Sequence, residues 1–365
     1  ATNTFGSLLI QAGGTYNATS GSTTINSEDT DGYSLDIDGG FIHNSGTVQI
    51  GGGVNSNVDL DNGSNNVYNL VIDNSTNTIE WTKPTIIENN LTIISGTFQS
   101  YGGGVGAKSL IVSGNVEVGR AGGTSVLGRS GGWGGTGTTV EFSSLYLGSN
   151  GTYRATSGTT TITGDDGNGY GIFTAGSDLF QHNSGSVELN PVVDRLQALY
   201  FNDTSSPATT SELYNLTILS GSAGSVPNAS WVRKVKVWND LVVGAGRRFR
   251  PDTDNDANYF LDVAGTATIS GTLGHSSPWG GTTVPIQLGA LTIAAGGTYY
   301  ATSGTTLIKT DFSQEGGFVH NSGTLDFDNG TNLFLGSADL LTGANALYDV
   351  DVSSVDTSGY NARYT

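Results

Sequence analysis

Apolar residues along this chain fall into short apolar-x-apolar groups that end near Ile10, Ile25, Ile37, Ile50, Leu60 and Ile72. Alternation over so few residues is the period of a strand, and no stretch keeps a helical period for more than about two turns. Gly, Asn-Gly or Ser-Gly usually separates the groups, and these residues turn the chain because they tolerate positive φ. The pattern predicts an all-β chain. Two strands per turn, or three with one short, predict a coil of ~20–25 residues, as in parallel β-helices whose coils bury their apolar residues on the coil beneath.

A longer repeat overlies this rhythm. Gly14-Thr15-Tyr16-Asn17-Ala18-Thr19-Ser20-Gly21 returns from Gly151 to Gly158 with Arg154 in place of Asn17, and again from Gly297 to Gly304 with Tyr300 there. His-Asn-Ser-Gly follows each copy, at His43, His182 and His320, and a Tyr-Asn/Asp pair follows that, at Tyr68, Tyr214 and Tyr348. This string is module A. Module B, present twice, places Trp81 before Asn-Asn-Leu91 and Trp231 before Asn-Asp-Leu241, and ends in Trp-Gly-Gly-Thr at Trp133 and Trp279. The chain therefore reads A-B-A-B-A, with A at 1–80, 138–230 and 284–365 and B at 81–137 and 231–283. We expect one continuous, elongated parallel β-helix (β-solenoid) over 1–365. Tandem β-sandwiches are the competing architecture, but their Greek keys need longer loops and a less uniform run of Gly-bounded strands.

The repeated Asn-Leu-Thr-Ile, Ser-Gly-Thr and Gly-Thr-Tyr-x-Ala-Thr-Ser-Gly-Thr-Thr segments resemble the repeat regions of large bacterial or archaeal surface β-solenoid proteins of the adhesin and filamentous-haemagglutinin-like kind. The resemblance is one of repeat style over the whole chain rather than of a signature motif. It implies export, a rod and a role in attachment or surface assembly, and it brings no catalytic residues.

Composition sharpens the exclusions. Of 365 residues 56 are Gly, only 13% are charged and the net charge is −18. Phosphate binding needs clustered Lys and Arg, and 14 basic residues in all argue against a nucleic-acid partner. The densest group (Arg233, Lys234, Lys236, Arg247, Arg248, Arg250) reads as solvated charge on an acidic body. No Cys and no Met occur, which suits an exported protein exposed to oxidation. No apolar run reaches the ~18 residues of a membrane span. The expected location is secreted, extracellular or cell-surface.

Few residues suggest chemistry. Asp252, Asp254, Asp256 and Asn258 place oxygen ligands at alternate positions, as at the start of an EF-hand loop. Ala257 stands where that loop has Gly, and Val263 where it has Glu. Calcium is thus the one candidate ion, and no cofactor is expected to be required. The acidic strings at Glu28 to Asp31 and Asp165 to Asn168 occupy equivalent positions in two A modules, and Asp311 and Glu315 lie there in the third. Each module histidine has no second ligand at fixed spacing, so a corner hydrogen bond is its expected role; the in-register tryptophans are expected to be core plates. Active sites usually interrupt a repeat, and this chain keeps its repeat, so no enzyme is expected. The expected function is a structural filament or sheath subunit stacked head-to-tail on itself through Leu8, Ile10, Leu347 and Val350. An adhesin stalk is the alternative, and a polysaccharide-binding or depolymerising spike a third; extracellular polysaccharide is the candidate second partner.

Overall fold

The computed structural model describes the chain except residues 61–65, 103–107, 121, 132, 135–137, 178, 191–196, 203–211, 222–227, 252–259, 277–285, 329–331, 336–348 and 353–365. No helix occurs among the described residues. The protein is an all-β parallel β-solenoid. Parallel registry throughout the described ladders excludes the sandwich, whose sheets are antiparallel. The chain forms two compact units, Ala1–Ser186 and Val187–Thr365.

In the first unit each coil contributes strands to three faces. On one face Phe5, Ile25, Ile50 and Ile72 stack in register, and Ile93, Val118, Leu147 and Thr174 continue the column. Successive members are 20 to 29 residues apart, so coils vary in length while the stacked positions do not. On the second face Ile10, Ile37 and Leu60 stack, followed by Trp81 on Ser100 and by Phe98, Leu127, Tyr153 and Phe180. The third carries Val67, Ile87, Val112, Phe142 and Ile162. Ile25, Ile50, Ile72, Ile93, Val118 and Leu147 are fully buried, and each such side chain contributes about 1.5–3 kcal/mol by leaving water. The three-residue apolar groups are thus the inward positions of three-sided coils.

The long repeat does not contain a whole number of coils. Phe5 and Phe142 hold the same place in their A modules, yet Phe5 belongs to the first face and Phe142 to the third. One A-B period therefore displaces the module by one face.

The second unit repeats the construction. Ile218, Val243, Ile269, Ile293 and Gln314 form one column. Val237, Val263, Leu288, Ile308 and Phe327 form another, and Phe249, Leu273, Tyr299 and Phe318 a third.

Candidate functional site

The polar residues of the repeat are consumed at the corners. In all three His-Asn-Ser-Gly copies the Asn and Ser have positive φ, between 44° and 61°, the left-handed conformation that Asn tolerates best among residues with a side chain. Each imidazole Nδ1 accepts the backbone N–H of the Ser two residues on, at 2.9, 2.9 and 2.8 Å for His43, His182 and His320. Each Asn donates its Nδ2 to the carbonyl of the Ala in the Ala-Thr-Ser-Gly string, at 2.8 Å for Asn44 to Ala18, Asn183 to Ala155 and Asn321 to Ala301. The two module-A motifs are therefore successive corners, one laid on the other. A Cβ on Gly46, Gly185 or Gly323 would come within 2.1, 2.0 or 2.1 Å of the carbonyl oxygen of Thr19, Thr156 or Thr302. That close approach is why the motif ends in Gly. The expected corner role of the histidines holds.

Asn ladders join A to B. Asn89 donates its Nδ2 to Asn69 Oδ1 at 2.9 Å, and Asn239 does the same to Asn215 at 2.9 Å. Trp81 and Trp231 are fully buried and pack on Phe98 and Phe249, with ring centroids 4.7 and 4.6 Å apart. Trp133 is buried and donates Nε1 to the Arg154 carbonyl at 2.8 Å. These three are core plates, as expected; Trp279 lies outside the described residues.

The acidic strings are turns. Asp29 Oδ1 accepts the N–H of Asp31 and of Tyr33, both at 2.9 Å. Asp166 Oδ1 accepts those of Asn168 and Tyr170, at 2.9 and 3.1 Å. The repeated acid caps backbone donors, an Asx-turn role. In the third module Asp311 lies within the strand Thr305–Gln314 instead.

Within the basic group, Arg247 is buried and donates Nε to the Leu219 carbonyl at 3.1 Å. Lys236 sits 3.4 Å from the Glu212 carboxylate and 3.5 Å from the ring centre of Trp238. Neither is simply solvated charge.

Asp252, Asp254, Asp256 and Asn258 lie outside the described residues, as does Leu347. Leu8 is half-buried and pairs with Leu35, whereas Ile10 is core, 5% exposed on Ile37. Leu9 between them points outward, 46% exposed. Alternation makes it, rather than Ile10, the apolar side chain on offer. Val350 belongs to the strand Asp349–Val352 and pairs with Leu325.

Sequence reasoning missed one site. An open groove of about 440 Å³ on the outer side of the first unit is lined by Glu28, Gly32, Asn55, Ser56, Asn57, Thr78, Glu80, Gln99 and Tyr101. Asn57, Glu80 and Gln99 are cross-strand neighbours in successive coils, so their side chains rise in one column at the ~4.8 Å strand spacing. Gln99 donates Nε2 to Glu80 Oε1 at 2.7 Å, and the Arg129 guanidinium reaches the same oxygen at 3.2 Å. Tyr101 stands half-exposed at the rim, with Lys108 Nζ 4.8 Å from its ring centre. A second acidic column runs alongside, where Asp36 stacks on Asp59 and Lys83 lies 3.2 Å from the Asp59 carboxylate. Burial, and after it the charges of Asp38 and Asp59, hold the Asp36 carboxyl above the usual carboxylate range.

Among the described residues no helix is long and apolar enough to cross a membrane. No protein-family model, curated protein or solved structure matches the chain.

Proposed function

We propose that this chain is a non-enzymatic structural protein of the cell exterior, a filament or sheath subunit whose coils continue by head-to-tail edge pairing with further copies. The first coil carries the reading. Its strands Thr2–Phe5, Leu8–Ile10 and Thr15–Asn17 pair on one edge with Ser22–Ile25, Tyr33–Ile37 and Gly40–Ile42. The described ladders are all built by such parallel pairing of one coil on the next, and Leu9 is exposed beside the first of these strands. A parallel edge flanked by apolar side chains accepts another parallel coil, and a heterologous contact that does not close produces an open polymer. The polar repeat residues, spent on corner hydrogen bonds, are consistent with a scaffold.

Negative-stain electron microscopy and mass photometry across a concentration series test this. Filaments or a ladder of oligomers are expected, shortened by Leu8→Lys or Leu9→Lys with the fold intact by circular dichroism. A monomer at every concentration overturns the filament. The alternative is an adhesin stalk, in which coils of the same chain occupy those edges; the corners, which need only the neighbouring coil, favour it equally.

A further inference from the structure

We infer that the groove lined by Asn57, Glu80, Gln99 and Tyr101 binds a neutral, extended glycan along the axis of coil stacking. The inference stands apart from the filament reading, since it concerns the outer side of the first unit and not its edges.

Four features carry it. The lining groups are amides, carboxylates and hydroxyls with a half-exposed aromatic ring at the rim. Planar donor-acceptor side chains match the adjacent hydroxyl pairs of a sugar, and an aromatic ring covers its C–H face. The groups are also held in place. Glu80 is fixed by Gln99 and Arg129, and Asn55 Oδ1 accepts the Thr78 N–H at 2.9 Å. Little side-chain freedom is then lost on binding.

Geometry supplies the shape of the ligand. The lining comes from four successive coils, and three steps at the strand spacing give a straight path of roughly 14 Å. A straight column of equivalent polar positions suits a ribbon-like chain of β-linked rings, not a coiled α-linked one. Charge supplies the class. Glu28 and Glu80 line the groove and Asp36 and Asp59 flank it, and with Arg129, Lys83 and Lys108 beside them the balance stays negative, on a chain of net charge −18. Acidic polysaccharides are repelled by such a field.

The fold does not demand this chemistry. Trp231 corresponds to Trp81 and Phe249 to Phe98, so Glu80 and Gln99 correspond to Ser230 and Arg250 in the second B module. The buried Trp and Phe are kept while Glu80 and Gln99 are replaced, so the stacking of these coils does not itself require the Glu-Gln pair.

Titration calorimetry and heteronuclear NMR with three hexasaccharides test the proposal: cellohexaose (neutral, extended), maltohexaose (neutral, coiled) and hexagalacturonate (acidic). Cellohexaose alone should bind, with shifts confined to the groove. Asn57→Ala and Gln99→Ala should each weaken it about tenfold, the loss of one or two hydrogen bonds. Tyr101→Ala, a change at an exposed rim, should do the same without altering the melting curve. No binding of cellohexaose at millimolar concentration overturns the proposal. So does equal binding of hexagalacturonate, or cellohexaose binding untouched by all three substitutions.

Discussion

Asn183 offers the sharpest test of the corner. Its side chain donates to the Ala155 carbonyl at 2.8 Å, and its own backbone has φ 46°. Asn183→Gly removes the bond but relaxes the backbone, leaving a buried carbonyl unsatisfied at a cost of about 1–3 kcal/mol. Asn183→Ala loses the same bond and adds about 1–2 kcal/mol for placing a Cβ in the left-handed region. The Ala variant should therefore lose about 2–5 kcal/mol and the Gly variant distinctly less. Because neighbouring coils are the unit of stability in a solenoid, a local measurement is needed. Native-state hydrogen exchange at Gly185 and Ser186, whose N–H groups bond to His182 and Gly158, provides it. Protection there should fall about 30- to 4000-fold in the Ala variant, at tenfold per 1.4 kcal/mol. The equivalent corner at Gly46 and Thr47 should keep its protection. Equal effects of Ala and Gly would refute the backbone argument, and loss of protection at both corners would refute the coil-by-coil one.

Three further outcomes follow from the packing and the buried phenols. Gly185→Ala must displace backbone, since its Cβ would lie 2.0 Å from the Thr156 oxygen; a loss above about 2 kcal/mol in urea unfolding is expected, and a neutral result would refute the stacked-corner geometry. Trp231→Ala should cost about 3–5 kcal/mol, with the Trp231→Phe variant recovering much of it through Phe249; near-neutral denaturation by Trp231→Ala would remove it from the core. Burial raises the phenols of Tyr153 and Tyr299 well above the ordinary 10.0, while in the unfolded chain they ionise near that value. The folded state then holds protons that the unfolded state releases, so their stabilisation is intact below pH ~10 and is lost as pH rises beyond it. Absorbance titration should show these two of the 15 tyrosines ionising only as the protein unfolds; full titration of the native protein near pH 10 would contradict their burial.

The strand rhythm was legible because burial acts on every second residue, and the apolar-x-apolar groups report it directly. The corner motifs were legible as repeats, but not as partners. Asn44 and Ala18 are 26 residues apart, and nothing local announces that one coil separates them. The acids of the turns invite a metal reading because a carboxylate that caps N–H groups and one that binds a cation look alike in a string. Asp29 and Asp166 are told apart from ligands only by the N–H groups they meet. The assembly residues show the limit of pattern reading within a strand: Ile10 and Leu9 are both apolar, and only the pleat decides that Leu9 faces out. The groove was invisible for a different reason. Asn57, Glu80 and Gln99 come from different strands and different modules, share no motif, and become a site only when coils of 23 and 19 residues bring them into one column.

The one-face displacement per A-B period decides what such a protein presents to its surroundings. His43 and His182 occupy identical corners in the first unit, yet they look out in different directions, because Phe5 and Phe142 start their modules on different faces. The motif copied within this unit is thus not copied along one side. Contacts that use the module surface can therefore be made from more than one azimuth. A partner that must engage one side continuously has to read the coil, whose spacing is constant, rather than the module.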